Sequence, residues 1–176
     1  MKKTLLLALC LLAGLSANAQ DKKIALSYAT ASSYETIENE NGEITYGYWP
    51  EHVIDGDTHT IWRNHSDIPS SGWPVTLTIT LEEATHVDYV RYIPRQDGYD
   101  DGNWNKVYIS YCPTTTGTNF RSIVDYDLKS SSANCDIWLT ENGVTCGQIK
   151  FTLEWLLPLR ISGRDRGLCR GLPKEG

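Results

Sequence analysis

The loop that follows a predicted strand at residues 87–93 carries more polar and aromatic side chains than a plain turn needs. A neutral sugar presents a face of C–H groups and a rim of hydroxyls, so a binder needs a flat aromatic ring and forked hydrogen-bonding groups. This loop contains both. The candidate ligand-binding residues are Arg95, Tyr99, Asp100, Asn103 and Trp104.

Two of these residues also have an ordinary structural interpretation. Arg95 could donate two parallel hydrogen bonds to adjacent hydroxyls, or it could form an ion pair with Asp97 that fixes the loop. Trp104 could serve as a platform for a sugar or pack against the core. The sequence leaves both pairs of alternatives open, whereas Trp62 is expected to pack in the core.

A second group of oxygen-bearing side chains lies in the segment DGDTHT, residues 55–60. Gly56 allows a sharp bend between Asp55 and Asp57, and Thr60 adds a hydroxyl, so hard oxygen donors could converge on a calcium ion. The spacing of glycine and acidic residues is not that of an EF-hand. The alternative is an Asx turn closed by hydrogen bonds from the backbone to side chains.

These loops are connected by short segments with an apolar residue at every second position. The segment VTLTITL, residues 75–81, is the clearest example. Strands are predicted at residues 75–81, 87–93, 106–111, 121–127, 135–140 and 147–154. The pattern predicts an all-β fold, an antiparallel sandwich with a jelly roll as the preferred form, and long loops at residues 34–50 and 61–74.

The first twenty residues have the pattern of a cleaved secretory signal. They combine Lys2 and Lys3 with an apolar run over residues 5–15 and the small-residue site ANA at 17–19. The run is shorter than the roughly 20 residues that a membrane-spanning helix needs. We therefore expect residues 1–20 to be removed and the protein to be exported to the periplasm, the cell surface or the medium.

Residues 21–154 are expected to form one domain, and residues 155–176 differ from it in composition. The whole chain has 16 basic and 22 acidic residues, an excess that disfavours nucleic acid or anionic lipid as the main partner. The tail carries a net charge of +3 and lacks the preceding strand pattern. It is interpreted as a poorly ordered extension or as foreign sequence from a change of reading frame.

Four cysteines follow the signal segment, namely Cys112, Cys135, Cys146 and Cys169. Export permits disulfides, and Cys135 with Cys146 is the first pair to test because the two flank adjacent predicted strands. Buried thiols without a disulfide are the alternative. No CxxC or Cys/His cluster indicates zinc.

Three motifs together resemble the discoidin domain, also called the coagulation factor V/VIII type C domain. They are HVIDGDTHTIW at 52–62, YIPRQDG at 92–98 and NWNKVYIS at 103–110, and the resemblance covers about residues 25–154. Bacterial members of this family include the family 32 carbohydrate-binding modules. The resemblance implies a jelly-roll sandwich of about eight antiparallel strands, a structural calcium ion and a ligand site on loops at one end.

The implied calcium ligands are the carbonyl of His52 and the side chains of Asp55, Asp57 and Thr60. The family adds a glutamate from a strand near the C terminus, where this chain instead has the atypical tail. The loop can keep its shape without that carboxylate, but its affinity for calcium should be lower.

The sugar-binding pattern is also altered. Sugar-binding members carry an arginine equivalent to Arg95, a following Asn-like residue, and a histidine directly after the tryptophan that corresponds to Trp62. Here that position is Arg63, and the nearest histidine is His65. Either these two replace the missing group, which would favour a different or anionic sugar, or the site has drifted. Trp73 could line the same end.

Signatures of catalysis are missing from the sequence, which has no GxSxG elbow, HExxH motif or Cys/His pair at catalytic spacing. We therefore predict a secreted, non-catalytic carbohydrate-binding module for terminal galactose-type or related sugars on a glycan or polysaccharide. A covalently linked catalytic domain in a larger glycan-degrading parent is a further expectation. The alternatives are an adhesion module that binds protein or phospholipid, although acidic loops disfavour a membrane, and a structural spacer without a ligand.

Overall fold

The computed structural model describes residues 22–69, 72–99 and 102–154. The predicted signal segment, the tail 155–176, Asp100 and Cys169 lie outside these residues. The described part contains nine strands and one short 3-10 helix at Pro50–Val53, and no helix in it has the length and hydropathy of a membrane span. The strands are β1 Leu26–Ala31, β2 Thr36–Glu38, β3 Ile44–Gly47, β4 Val75–Val87, β5 Tyr89–Tyr92, β6 Lys106–Cys112, β7 Arg121–Asp127, β8 Cys135–Trp138 and β9 Val144–Leu153.

The larger sheet has five antiparallel strands in the order β1-β4-β9-β6-β7. Leu77 of β4 and Ile109 of β6 both pair with Phe151 of β9, and each of the three is about 1% exposed. This apolar row runs across the middle of the sheet and forms the centre of the core. The alternation of β4 is interrupted by a bulge between Thr80 and Thr85. Thr80, just before the bulge, pairs with Gln148, and both polar side chains are buried.

The second layer is the two-stranded sheet β5–β8. Val90, Tyr92 and Ile137 face the larger sheet and pack against its core. On the outer face, Arg91 pairs with Asp136 across the two strands, with two hydrogen bonds of 2.7 and 2.9 Å. The all-β sandwich predicted from alternation is therefore confirmed.

The expectation that residues 34–50 form a loop throughout is wrong, because β2 and β3 make a hairpin there. The Asn39 side-chain oxygen accepts hydrogen bonds from the backbone N–H groups of Asn41 and Glu43, at 2.9 and 3.0 Å. Gly42 has a φ of +79°, which glycine adopts without strain. This local turn brings β2 and β3 together. Neither strand has a buried apolar face, so the alternation that predicts the other strands is missing from their sequence.

Cys135 and Cys146, the first pair to test, do not form a disulfide, and the alternative of a buried thiol holds for Cys146. Cys135 is disulfide-bonded, but Cys112 and Cys146 are both buried free thiols. Cys135 belongs to the sheet β5–β8, whereas Cys146 lies on β9 in the larger sheet, so adjacency along the chain does not bring them together. Burial, with a contribution from the nearby Cys112, raises the pKa of the Cys146 thiol to about 11.

Removal of the cross-strand charge pair should weaken the second layer in a pH-dependent way. We expect Asp136→Asn to lower the free energy of unfolding at pH 7 by about 0.2–1 kcal/mol. Hydrogen bonds from Arg91 hold the pKa of Asp136 below its ordinary value. The stabilisation is therefore complete above the unfolded-state pKa of about 3.9 and is lost as the pH falls through the lower folded-state pKa.

Urea denaturation of both proteins over an acid series measures this effect. Asp125→Asn is the matched control, because the ion pair of Asp125 with Lys106 is longer, at 3.6 Å, and both side chains are exposed. The ion pair would be contradicted if the difference in unfolding free energy between Asp136→Asn and the unmodified protein stayed constant with pH.

Candidate functional site

Several loops meet at one end of the sandwich. Ala31 pairs with Leu77, and Leu153 pairs with both Val75 and Val107. The end of β1, the start of β4, the start of β6 and the end of β9 therefore lie side by side. The connections that begin or end there are residues 32–50, 61–74 and 93–105, which the structure describes except at residues 70, 71, 100 and 101.

Arg95 and Asp97 form the ion pair that was one of the two interpretations of this loop. Nε and Nη2 of Arg95 donate to the two carboxylate oxygens of Asp97 at 2.7 and 2.6 Å. The guanidinium carbon also lies 5.2 Å from the centre of the Tyr99 ring, and 66% of Tyr99 is exposed. A fixed cation and a solvent-facing aromatic ring thus stand next to each other at the end of the sandwich.

The local sequence explains this geometry. Gly98 has a φ of +88°, a conformation that a residue with a Cβ rarely adopts, and it turns the chain so that Tyr99 returns over Arg95. The backbone N–H of Tyr99 lies 3.4 Å from the Asp97 carboxylate. These contacts, led by the hydrogen bonds from Arg95, hold the pKa of Asp97 below its ordinary value, so the carboxylate keeps its charge to a lower pH than an ordinary aspartate.

Trp104 packs against the core, which was the second of its two interpretations. Its ring stacks on Tyr92 at a centroid distance of 4.8 Å and an interplanar angle of 24°. It also contacts Phe151 at 5.4 Å and the edge of Trp62 at 6.3 Å. Trp62 packs against the core as expected, and its indole N–H donates to the carbonyl of Ser33 at 3.1 Å. Both tryptophans therefore anchor loops to the core.

Arg63, another predicted ligand residue, contacts the region of the β2–β3 hairpin. Nε of Arg63 is 2.6 Å from a carboxylate oxygen of Glu35, and its guanidinium carbon is 4.4 Å above the Tyr48 ring. Arg63 is thus held by Glu35 and Tyr48, and it lines the same cleft as Arg95. Neither Glu35 nor Tyr48 could be found from sequence, because both lie far along the chain from Arg63 and no local spacing connects them.

His65 and Trp73 do not join the Arg95 loop in a shared cavity. His65 is exposed, and its ring nitrogen accepts a hydrogen bond from the backbone of Asp67 at 3.1 Å. Trp73 is partly buried and packs against the core. Asn103 is closer to Arg95, since both line one cleft, and its side-chain nitrogen is buried without a hydrogen-bond partner. Asp100 lies outside the described residues.

This cleft has a volume of about 230 Å³ and extends from the Arg95 loop towards the DGD segment. Its polar end includes Arg95 and Asn103. Its floor consists of apolar side chains from both layers of the sandwich. These are Leu77, Ile79, Val90, Ile137 and Phe151.

The DGDTHT segment forms the Asx-type turn that was the alternative to a metal loop. Asp55 accepts a hydrogen bond from the backbone N–H of Asp57 at 2.8 Å, and Asp57 accepts one from that of His59 at 2.8 Å. Thr60 donates to the second oxygen of Asp55 at 2.7 Å. Hydrogen bonds from His59 lower the pKa of Asp57.

The donor types of this turn, carboxylate and hydroxyl oxygens within one bend, are those that calcium prefers. The set is small, since the described residues contain no cluster of three or more His, Cys, Asp or Glu side chains. The candidate ligands are the side chains of Asp55, Asp57 and Thr60, with the carbonyl of His52. The ring of His52 is directed elsewhere, with Nδ1 3.0 Å from the carbonyl of Ile61.

The lowered pKa of Asp97 gives a direct test of the loop geometry. In the unmodified protein, the Asp97 carboxyl should titrate below its ordinary range, and Arg95→Gln should move the midpoint up towards that range because the main hydrogen-bond donor is lost. Carbon-13 NMR of the side-chain carboxyl measures both midpoints. Lys106→Gln should leave the Asp97 midpoint unchanged, and equal midpoints with and without Arg95 would contradict the ion pair.

Comparison with known proteins identifies the family. A model of the F5/8 type C domain matches residues 28–154, and no curated protein gives a significant match. Among solved structures, the Clostridium perfringens module CpGH89CBM32-5, in complex with GalNAc-beta-1,3-galactose, is 21% identical with a TM-score of 0.57, covering 74% of this chain and 85% of that chain.

Two further structures show the same fold. The family 32 carbohydrate-binding module of C. perfringens NanJ, in complex with galactose, is 18% identical with a TM-score of 0.57, covering 76% of this chain and 85% of that one. The C-terminal domain of a chitobiase from Bacteroides fragilis is 20% identical with a TM-score of 0.56 and the same coverage. Because the family model spans most of the chain, including the strands and loops described above, the protein belongs to the F5/8 type C domain family.

Proposed function

We propose that this domain is an exported, non-catalytic module that binds terminal galactose-type or related sugars of a glycan. The observation that carries the proposal is the contact between the fixed Arg95 guanidinium and the exposed Tyr99 ring. The C–H face of a sugar would lie on Tyr99, and adjacent hydroxyls would bind Arg95 and Asp97 at its rim. Trp104 supports this loop from below instead of forming the platform.

The charge balance favours a neutral sugar. The cation of Arg63 is compensated by Glu35 at 2.6 Å, and that of Arg95 by Asp97. An anionic sugar would need excess positive charge, which these two pairs do not supply. We therefore prefer a neutral, galactose-type ligand to the anionic one that Arg63 and His65 suggested.

The comparisons support binding of a glycan in a general way. The two C. perfringens modules described above were solved with galactose and with a disaccharide that contains GalNAc and galactose. The exposed position of Tyr99 implies a shallow site with one stacked ring. Such a site should give dissociation constants in about the micromolar to millimolar range, which tethering to a second binder or to a catalytic domain would improve.

A second function is favoured by one observation, the exposed apolar side chains of the β2–β3 hairpin. Ile37 and Ile44 are 45% and 58% exposed, and Trp49 follows the hairpin at 37%. Such a surface could bind another protein. The hairpin region is also acidic, which disfavours an anionic membrane. The acidic residues are Glu35, Glu38, Glu40 and Glu43.

Substitution of the two rim residues should separate these functions. Isothermal titration with galactose and N-acetylgalactosamine should show that Tyr99→Ala weakens binding about 2- to 10-fold through loss of ring contact. Arg95→Ala should weaken it at least about 10-fold, because charged hydrogen-bond donors are lost. Tyr28→Ala is the matched control, since Tyr28 is a similarly exposed tyrosine, at 46%, on β1.

A glycan array and liposome sedimentation complete this test. A flat array for the unmodified protein would defeat the sugar proposal. Sedimentation with liposomes that depends on Ile44 would instead support a membrane adhesion module. Trp104→Ala is not diagnostic, because it removes contacts to Tyr92, Phe151 and Trp62 as well.

We propose further that the DGDTHT turn binds calcium weakly. With two carboxylates available, an affinity in the range of extracellular calcium modules, about 0.1–1 mM, is expected. Calcium at roughly ten times its dissociation constant should stabilise the fold by about 1.4 kcal/mol. Thermal unfolding with calcium and with magnesium measures this stabilisation.

Asp57→Asn should abolish the calcium effect, whereas the exposed Asp67→Asn should leave it intact. Unfolding temperatures that do not respond to calcium in the unmodified protein would rule out the site. The sugar titrations above need no calcium ligand, so the two proposals fail independently.

A further inference from the structure

The outer face of the β5–β8 sheet carries the same kinds of groups as the rim of the proposed sugar site. Across these two strands, Tyr89 pairs with Trp138. Two positions along, Arg91 pairs with Asp136. Ile137 is fully buried, so alternation directs the side chains of its neighbours Asp136 and Trp138 away from the core. An aromatic pair and an ion pair therefore stand next to each other on the solvent side of this small sheet.

The aromatic pair presents a fixed ring to the solvent. Trp138 is 46% exposed, and its ring lies 5.1 Å from the Tyr89 ring, centre to centre, at an interplanar angle of 41°. The hydroxyl of Tyr126 donates to the carbonyl of Trp138 at 3.0 Å, which also fixes the backbone at this position. A large ring held in this way can receive the C–H face of a sugar with little further loss of entropy.

The ion pair forms a polar rim beside this ring. Nε and Nη2 of Arg91 donate to the two carboxylate oxygens of Asp136 at 2.7 and 2.9 Å. The guanidinium carbon lies 5.7 Å from the centre of the Tyr89 ring, and 51% of the Arg91 side chain is exposed. Charged donors and acceptors thus border the aromatic pair, and both kinds of group form strong hydrogen bonds with hydroxyls.

The chemistry of this face favours a sugar over other occupants. The charges of Arg91 and Asp136 compensate each other, so the pair favours a neutral ligand over an ion. An apolar protein surface would cover the ion pair and replace none of its hydrogen bonds to water, which is costly. A sugar ring avoids this cost, because its C–H face can lie on Trp138 while its hydroxyls remain at the polar rim.

The outer face is also continuous with the loop that contains Arg95. Arg91 and Arg95 both border the cleft described above, and Ile93, between them in the sequence, is 45% exposed. The four residue steps from Arg91 to Arg95 span at most about 14 Å. One oligosaccharide is long enough to contact both places.

We propose that the outer face of the β5–β8 sheet is a second contact site for the glycan, where Trp138 stacks on a sugar unit beyond the one bound at Arg95. This inference rests on the proposed function, in which the Arg95 loop binds the terminal sugar. Once that unit is bound, the second contact is made within the same complex, so even a weak contact adds affinity for a longer chain.

Titration calorimetry with galactose and with linear galactotetraose tests the second site. The unmodified protein should bind galactotetraose about 2- to 10-fold more tightly than galactose, which is the gain expected from one further stacked ring. Trp138→Ala should remove this gain and leave the affinity for galactose unchanged, whereas Trp138→Tyr should keep most of the gain. Tyr28→Ala is the matched control, since Tyr28 is also 46% exposed but lies on β1.

Nitrogen-15 NMR locates the contact. The indole N–H signal of Trp138, assigned by its loss in Trp138→Tyr, should shift when galactotetraose is added to the unmodified protein. Equal affinities for the two sugars, or equal effects of Trp138→Ala and Tyr28→Ala, would overturn the second site and leave the Arg95 site standing. A shift of the Trp138 signal that persists in Arg95→Ala at the same sugar concentrations would instead support the outer face and count against the Arg95 site.

A second copy of the chain is the other occupant to test. Analytical ultracentrifugation of the unmodified protein should show a monomer without added sugar. A dimer that Trp138→Ala dissociates would assign the outer face to self-association and overturn the proposal.

Discussion

Burial of one apolar face of a five-stranded sheet under a much smaller second layer is the constraint on which the rest of the structure depends. The sheet β5–β8 contributes only a few inward side chains, chiefly Val90, Tyr92 and Ile137. The remaining area is covered by aromatic rings from loops, above all Trp62 and Trp104. Loops that would otherwise be mobile are therefore fixed to the core by large apolar contacts.

This anchoring explains how a surface loop can hold a defined site. Pro94 is buried at one end of the Arg95 loop and Trp104 packs on Tyr92 at the other. Between these anchors, the ion pair with Asp97 orients the guanidinium of Arg95. The ion pair and the ligand interpretation are thus compatible, since a side chain already fixed in position loses less entropy when a ligand binds.

Sequence reasoning succeeded where structure is encoded locally. Alternation identified β4 to β9, and residues 121–127 were predicted with the observed bounds. It failed for the β2–β3 hairpin, because Ile37 and Ile44 are both exposed and no apolar face marks these strands. The ion-pair partner of Arg63 and the free-thiol state of Cys146 could not be predicted for another reason. Contacts between segments that are distant in the sequence determine both.

The acidic DGD turn connects the proposed calcium site with the cleft. Its shape is maintained by its own hydrogen bonds to Asp55 and Asp57, so a cation is not needed to form the bend. The same two carboxylates line the loop wall of the cleft. The calcium ion proposed above would therefore neutralise two charges that also border the cleft, and without it that wall stays more negative.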